Sequence, residues 1–525
     1  MKKYLICAFA LAAFCACSSG ADEEQVKPNE NGQVYMQFSV KMETSRSETD
    51  ETGDTNSNAN PDYEVGKDYE NKVSNVDIVL MDGNGATAAT ATNVTLSQAA
   101  TDTYVASFNT TALAANTQYY VYIVANGTFK GLENVTEVGA DLTVAGGIAE
   151  QNKFLMTNAQ SKENNVTKLP EDLTPYTSPA NPFNLGAYKV ERAAARFDYK
   201  AAKEDNTYAI GLKDNVATVN VKLTEAALIN MSKKFYDFRR VSDDGTATGA
   251  VIGGVENPNN YVVDTDAAEK NTVVANNAEA TLSATNFHYS MTAPATWAWK
   301  SLTGLVDDNW KGEGTNPHEL DGYQIWTYAS ENTIPGIANQ VHGITTGVVF
   351  KGELSATADA PQAAKDAIAA GTEMIYVFKE QLYGTWADVT AAATAANADP
   401  ELAAAYNAVV AAGENATVQT YADAGFTGYN PVDKKYYAYY YYWNRHNDNL
   451  DNYVMDNMEF AVVRNNVYKL CVDGISKFGH PDPNDPKNPD PDPENPDDPD
   501  EEKNYYFTVT VKVLPWVVRV NHIEF

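Results

Sequence analysis

Cysteine is scarce in this chain of 525 residues, with four in all. Cys7, Cys15 and Cys17 sit in the first twenty residues, so Cys471 is the single thiol left for the folded part and no intramolecular disulfide framework is available there. A large core and sheet hydrogen bonds must carry the stability, and Cys471, in the alternating stretch VYKLCVDGI, reads as a small buried apolar residue. Basic residues are also few, 38 against 70 acidic ones, for a formal charge of -32. That balance argues against binding nucleic acid or anionic lipid through counterion release, and no basic stripe opposes it. The acidic excess gathers in the run Glu48 to Asp54 and in a Pro/Asp-rich segment near the end, both read as solvated loops.

Histidine is equally thin. His288, His318, His342, His446, His480 and His522 are scattered, with no HExxH spacing and no cysteine partner, so no metal site is expected. A GxSxG elbow, a P-loop and a GxGxxG turn are all missing, and paired carboxylates cannot be picked out of so acidic a chain. No catalytic residue, cofactor or enzymatic activity is expected. MDGNGATA reads as a hairpin turn. The Asp-rich segment lacks the Gly and spacing of an EF-hand loop.

Long apolar runs are absent too. The longest, in MKKYLICAFALAAFCACSSG, covers about thirteen residues, which suits a secretory signal and is too short to span a bilayer. Cleavage before Cys17, with Ala16 ahead of it and Ser18, Ser19 and Gly20 behind, fits bacterial lipoprotein processing. Phe14 departs from the usual aliphatic residue of that box, and an ordinary signal peptide is the alternative.

What is abundant is strand-forming sequence: 44% hydrophobic residues, 11% aromatics and 32 tyrosines, enough for two or three domains of half-buried strands. Val34, Met36, Phe38, Val40 and Met42 alternate with Tyr35, Gln37, Ser39 and Lys41, a period of two that predicts a strand. A polar stretch, ETSRSETDETGDTNSNANPD, ends it. VSNVDIVLM, TYVASF, QYYVYIVANGTF and KFLMT follow as short strands between turns, which indicates a sandwich or Greek-key barrel. After the loop YTSPANPFNLG a second domain is expected to start at Tyr188. It contains VATVNVKLTEAALIN, TEMIYVFKE, KKYYAYYYYWN and FAVVRNNVYKLCV as strands. PQAAKDAIAAG and DPELAAAYNAVVAAG have the Pro starts and Gly stops of short inserted helices. KKYYAYYYYWN could be a sugar-binding aromatic platform, but a strand packed on both faces accounts for it better.

The segment from Gly479 to Asn504 is rich in Pro and Asp. At about 3.1 Å per residue it could extend roughly 75 Å, farther than the 17 to 20 Å of a typical sandwich strand. Beyond it, Phe507, Val509, Val511 and Val513 form one face of a strand. Leu514-Pro515 breaks the ladder, and Trp516, Val518 and Val520 lie on a second strand. An apolar pair of strands at the end of a long arm can reach a neighbouring molecule.

The lipoprotein-like start, the early strand followed by a lone Arg, NPDY (60–63), VERAAAR (190–196), VVRNNVYKL (462–470), the Pro/Asp tether and VTVKVLPW (509–516) together resemble the major fimbrial subunits of type V pili in Bacteroidales. The shaft fimbrillin of the minor fimbriae is especially similar. The resemblance implies a mostly β fold of two tandem transthyretin-like Greek-key β-sandwich domains, with short helical insertions in the second. It divides the chain into a signal peptide (1–16), a propeptide carrying the first strand (17–46), an N-terminal domain (47–187), a C-terminal domain (188–478), the tether (479–504) and donor strands (505–525). It further implies a precursor lipidated at Cys17 and held at the outer membrane. An Arg-specific surface protease would cut after Arg46, leaving Ser47 as the mature start. Arg46 is the only basic residue between Lys41 and Lys67. The expected product is a homopolymer on the cell surface, formed by strand exchange, with anchor and tip fimbrial proteins, host or bacterial receptors, and a role in adhesion and biofilm formation. A monomeric lipid-anchored adhesin or glycan-binding lipoprotein is the runner-up.

Overall fold

The computed structural model describes residues 33 to 521 with gaps. Residues 1–32, 43–65, 101–102, 111–112, 160–161, 204, 214–215, 254–260, 275–284, 306–322, 337–342, 447–454, 456, 484–506, 516–518 and 522–525 lie outside the described residues. Strands dominate, in accord with the period-two patterning, and the protein is mostly β.

The first sheet is built from β1 (Val34–Met42), β2 (Asn75–Met81), β3 (Thr87–Thr95), β4 (Ser97–Ala100), β5 (Thr103–Thr110), β6 (Gln118–Ala125), β7 (Met156–Asn158) and β8 (Phe183–Arg192), in the spatial order β3-β2-β6-β7-β8-β1-β5-β4. The turn in MDGNGATA forms the β2–β3 hairpin as expected, with Asp82 and Ala86 joined through a 2.9 Å backbone hydrogen bond. β8 continues through residue 188 to Arg192, and β9 (Ala195–Ala201) opens another sheet. The change of sheet falls at Ala193–Ala194.

Beyond β9 come β10 (Thr207–Lys213), β11 (Val216–Ile229), β12 (Gln324–Ala329), β13 (Gly347–Ala356), β14 (Tyr436–Trp443), β15 (Asn466–Ile475), β16 (Phe507–Pro515) and β17 (Arg519–Asn521). They form two sheets, β12-β9-β15-β16-β17 and β10-β11-β13-β14. β15 starts at Asn466, later than FAVVRNNVYKLCV suggests, because Asn465 takes a left-handed turn conformation (φ 58°) after Arg464.

Four one-to-four-turn helices matter here: α1 (Asp68–Asn71), α2 (Ala267–Val274), α3 (Gln362–Ala370) and α4 (Pro400–Ala412). The Ala-rich insertions fold as their caps predict. Asp399 accepts from the Glu401 amide at 2.8 Å, Gly413 stops α4, and Gly371 ends α3 in a left-handed conformation. Around α4, Tyr376, Phe378, Val389, Leu402, Val409 and Phe426 form a small separate core, while α3 packs its Ala364 on the main one.

Candidate functional site

The site is the slot that β1 fills. Val34, Met36, Phe38 and Val40 are all at most 7% exposed, whereas Tyr35, Gln37 and Ser39 are half-buried and Lys41 is exposed. This is the expected alternation. The side chain of Met42 lies outside the described residues. β1 is an internal strand: it pairs antiparallel with β5, Phe38 facing Ala106, and parallel with β8, Val40 facing Tyr188. On the β8 side Phe38 faces Gly186 while Gln37 faces Asn184, a bulge with Gly186 at φ 118°, where a side chain would be strained. The Phe38 and Phe108 rings meet edge-on with centroids 6.0 Å apart. Taking β1 out would leave backbone donors and acceptors of β5 and β8 unpaired on both walls of an apolar slot.

The chain re-enters at α1, and here the structure adds residues that the sequence reading missed. Glu70 is fully buried. It accepts from Arg196 Nη1 at 2.9 Å, from the Tyr328 hydroxyl at 2.6 Å and from its own Lys67 amide at 2.6 Å. Arg196 also holds Asp198 with two bonds of 2.8 and 2.7 Å. Burial, then the neighbouring Glu70 carboxylate, drives the Tyr328 hydroxyl far above the usual tyrosine range, so it stays a proton donor to Glu70. Arg192 donates to the Glu70 carbonyl at 3.0 Å, to Asn465 Oδ1 at 3.0 Å and to Asn71 Oδ1.

Arg464 completes the pattern. It holds Glu331 through bonds of 2.9 and 3.0 Å and donates to the carbonyls of Tyr236 and Asp237. The motifs VERAAAR and VVRNNVYKL thus supply buried arginines that tie α1, β8, β9, β12 and the start of β15 together. The signal available in the sequence was an arginine pair flanking three alanines, since a charge in so apolar a strand needs a partner.

The expected donor strands Phe507, Val509, Val511 and Val513 lie in β16, and Val520 lies in β17. Trp516 and Val518 lie outside the described residues, as do Cys17, Arg46 and Ser47. β16 pairs antiparallel with β15 of its own chain, from Asn466 opposite Pro515 to Ile475 opposite Phe507, and β17 folds back on β16. The ladder therefore includes Leu514 and Pro515, where a break was expected. The tail lengthens the β15 sheet while β1 occupies the slot in the other sheet.

The aromatic run is not a platform. Tyr436, Tyr440, Tyr441, Tyr442 and Trp443 are buried in β14, and Tyr437 and Tyr439 are half-buried. Cys471 is buried and free. Among the described residues no group of three or more His, Cys, Asp or Glu is placed to hold a metal ion, and no helix is long and apolar enough to cross a membrane.

The fold and the slot define a many-stranded β protein in which β1 is internal to its sheet. Residues 434–522, which include β14, β15 and the tail, match the family described as major fimbrial subunit protein type IV, fimbrillin, C-terminal. The fimbrillin resemblance read from the motifs is borne out by that match. Among solved structures, a fimbrilin of Porphyromonas gingivalis W83 aligns at 13% identity and TM-score 0.37, over 93% of this chain and 99% of that one. A proposed cell adhesion protein of Parabacteroides distasonis ATCC 8503 aligns at 12% identity and TM-score 0.41 over the same shares. The fimbrial anchor protein of P. gingivalis aligns at 12% identity and TM-score 0.19, over 39% of this chain and 62% of that one. No curated protein matches by sequence.

Proposed function

We propose that the protein is the structural subunit of a cell-surface fimbria, made as a precursor that is lipidated at Cys17 and held at the outer membrane. An Arg-specific protease cuts after Arg46, Ser47 becomes the new start, and β1 leaves. The terminal strands of another copy, swung out on the 479–504 tether, then fill the slot. Donor and acceptor are different surfaces of one protein, so the contact runs head to tail and does not close, and a filament results. Anchor and tip fimbrial proteins, and receptors on host or bacterial cells, are its expected partners in adhesion.

The observation that supports this best is the position of β1, internal in its sheet yet joined to the rest only through 43–65, where the lone Arg46 stands. Its four buried side chains, at about 1.5 to 3 kcal/mol each, make the vacated slot costly to leave open by roughly 6 to 12 kcal/mol. An incoming apolar strand recovers that. While β1 is in place the slot is closed, which keeps the precursor from assembling early. The test is to treat purified precursor with an Arg-specific protease and follow fibres by electron microscopy. Fibres from wild type and none from Arg46→Ala support the proposal, and a cleaved protein that stays monomeric at high concentration refutes it.

A further inference from the structure

Away from the slot, a lysine is sealed in the core of the second part of the chain. Lys270 on α2 is fully buried, and its Nζ lies 2.6 Å from Asn332 Oδ1, 2.9 Å from Asp264 Oδ2, 2.9 Å from Asp266 Oδ1 and 2.9 Å from the Thr333 carbonyl. Asn332 is 1% exposed and rigidly oriented. Its Nδ2 donates to Thr346 Oγ1 at 2.8 Å, to the Ile344 carbonyl at 3.0 Å and to the Asn230 carbonyl at 3.3 Å. Asp264 is 3% exposed and accepts from the Thr333 amide at 2.9 Å. The Phe287 ring centroid lies 5.5 Å from Nζ. A carboxamide and a carboxyl are thus each in contact with the same buried amine.

We infer that this cluster is an intramolecular cross-linking site, at which Lys270 Nζ acylates on Asn332 to form an amide bond with loss of ammonia. Nothing in the strand-exchange reading calls for such a bond, and it stands or falls independently of that reading. A subunit without disulfides gains a covalent tie between α2 and the segment after β12, two parts of the chain 62 residues apart.

The step balances without any external reagent. Asp264 takes a proton from the Lys270 ammonium, and the neutral amine adds to Cγ of Asn332. Asp264 gives its proton to Nδ2 and recovers one from the attacking nitrogen as the Cγ–Nδ2 bond breaks. Ammonia leaves, a secondary amide remains, and Asp264 ends protonated beside Asp266. Burial, working against the attraction of Lys270, pushes Asp264 up to about 7, which makes it the carboxyl suited to both halves of this transfer. Burial also favours loss of the lysine proton. Asp264 and Asp266 outweigh it and hold the ammonium form more tightly than in an ordinary lysine, so the reaction is a slow, single maturation event. Close approach in a rigid, dry setting is what drives it.

Peptide mapping of the full-length protein by mass spectrometry tests the assignment. Trypsin does not cut after an acylated lysine, so the expected product joins residues 241–300 to residues 312–351. Its mass should be lower than the sum of the two peptides by about 17 Da, one ammonia. Lys270→Arg, which keeps the charge, should abolish the joined species, and Asp264→Asn should leave the chains unlinked while Lys270 and Asn332 are both present. Ordinary cleavage after Lys270 in the wild type overturns the inference, as does a loss of about 18 Da, which would place the bond on a carboxylate. A linked Asp264→Asn variant overturns the role of Asp264.

Discussion

Replacing Phe38 with Ala separates the precursor from the fibre. Phe38 is 1% exposed, faces Ala106 on one side and Gly186 on the other, and packs edge-on against Phe108. A Phe-to-Ala change at such a position removes the transfer free energy of the ring and leaves a cavity, together about 3 to 5 kcal/mol. The precursor should therefore unfold at lower urea, with the loss reported by the transition of the first sheet. Under the proposed maturation β1 leaves, so the same substitution should leave the mature fibre untouched. The assay is a pair of denaturation curves, precursor and protease-matured fibre, for wild type and Phe38→Ala. A fibre weakened as much as the precursor would mean that β1 stays in its slot after maturation, and the reasoning would be wrong.

Arg196→Ala removes the guanidinium that pairs with buried Glu70 and Asp198 and should cost about 3 to 5 kcal/mol in thermal or urea unfolding of the precursor. A change under about 1 kcal/mol, the range of a surface pair, would show that the cluster is solvated. Arg46→Ala should leave export and folding unchanged and abolish the size shift on Arg-specific proteolysis, as seen by gel and N-terminal sequencing. Deleting 505–525 should give a protein that is cut normally and forms no fibres by electron microscopy. Long fibres from that deletion would remove the tail from the mechanism.

Much of this was legible from patterning. The alternation of Val34, Met36, Phe38 and Val40 marks which face of β1 is buried, and Asp399, Gly413 and Gly371 mark where helices stop and start. Which strands flank β1 was not legible. A period of two assigns faces, while the partner β8 lies about 150 residues away and is chosen by the whole sheet. The arginine cluster stayed hidden for another reason. Charged side chains default to the surface, and only the fold brings Glu70 to Arg196 and Asn465 to Arg192. β8 runs on past 187/188, and the chain passes to the next sheet only at the alanines that follow Arg192.

The most direct measurement is an intersubunit cross-link in the slot. One set of subunits carries Ala106→Cys, on β5 opposite Phe38, and a second carries a cysteine at position 507, 509, 511 or 513 of the tail. The two are mixed, matured with the protease and oxidised. Strand exchange predicts a disulfide-linked dimer of the two variants that appears only after cleavage and only within fibres. Fibres that form without that dimer at any of the four tail positions would contradict the account.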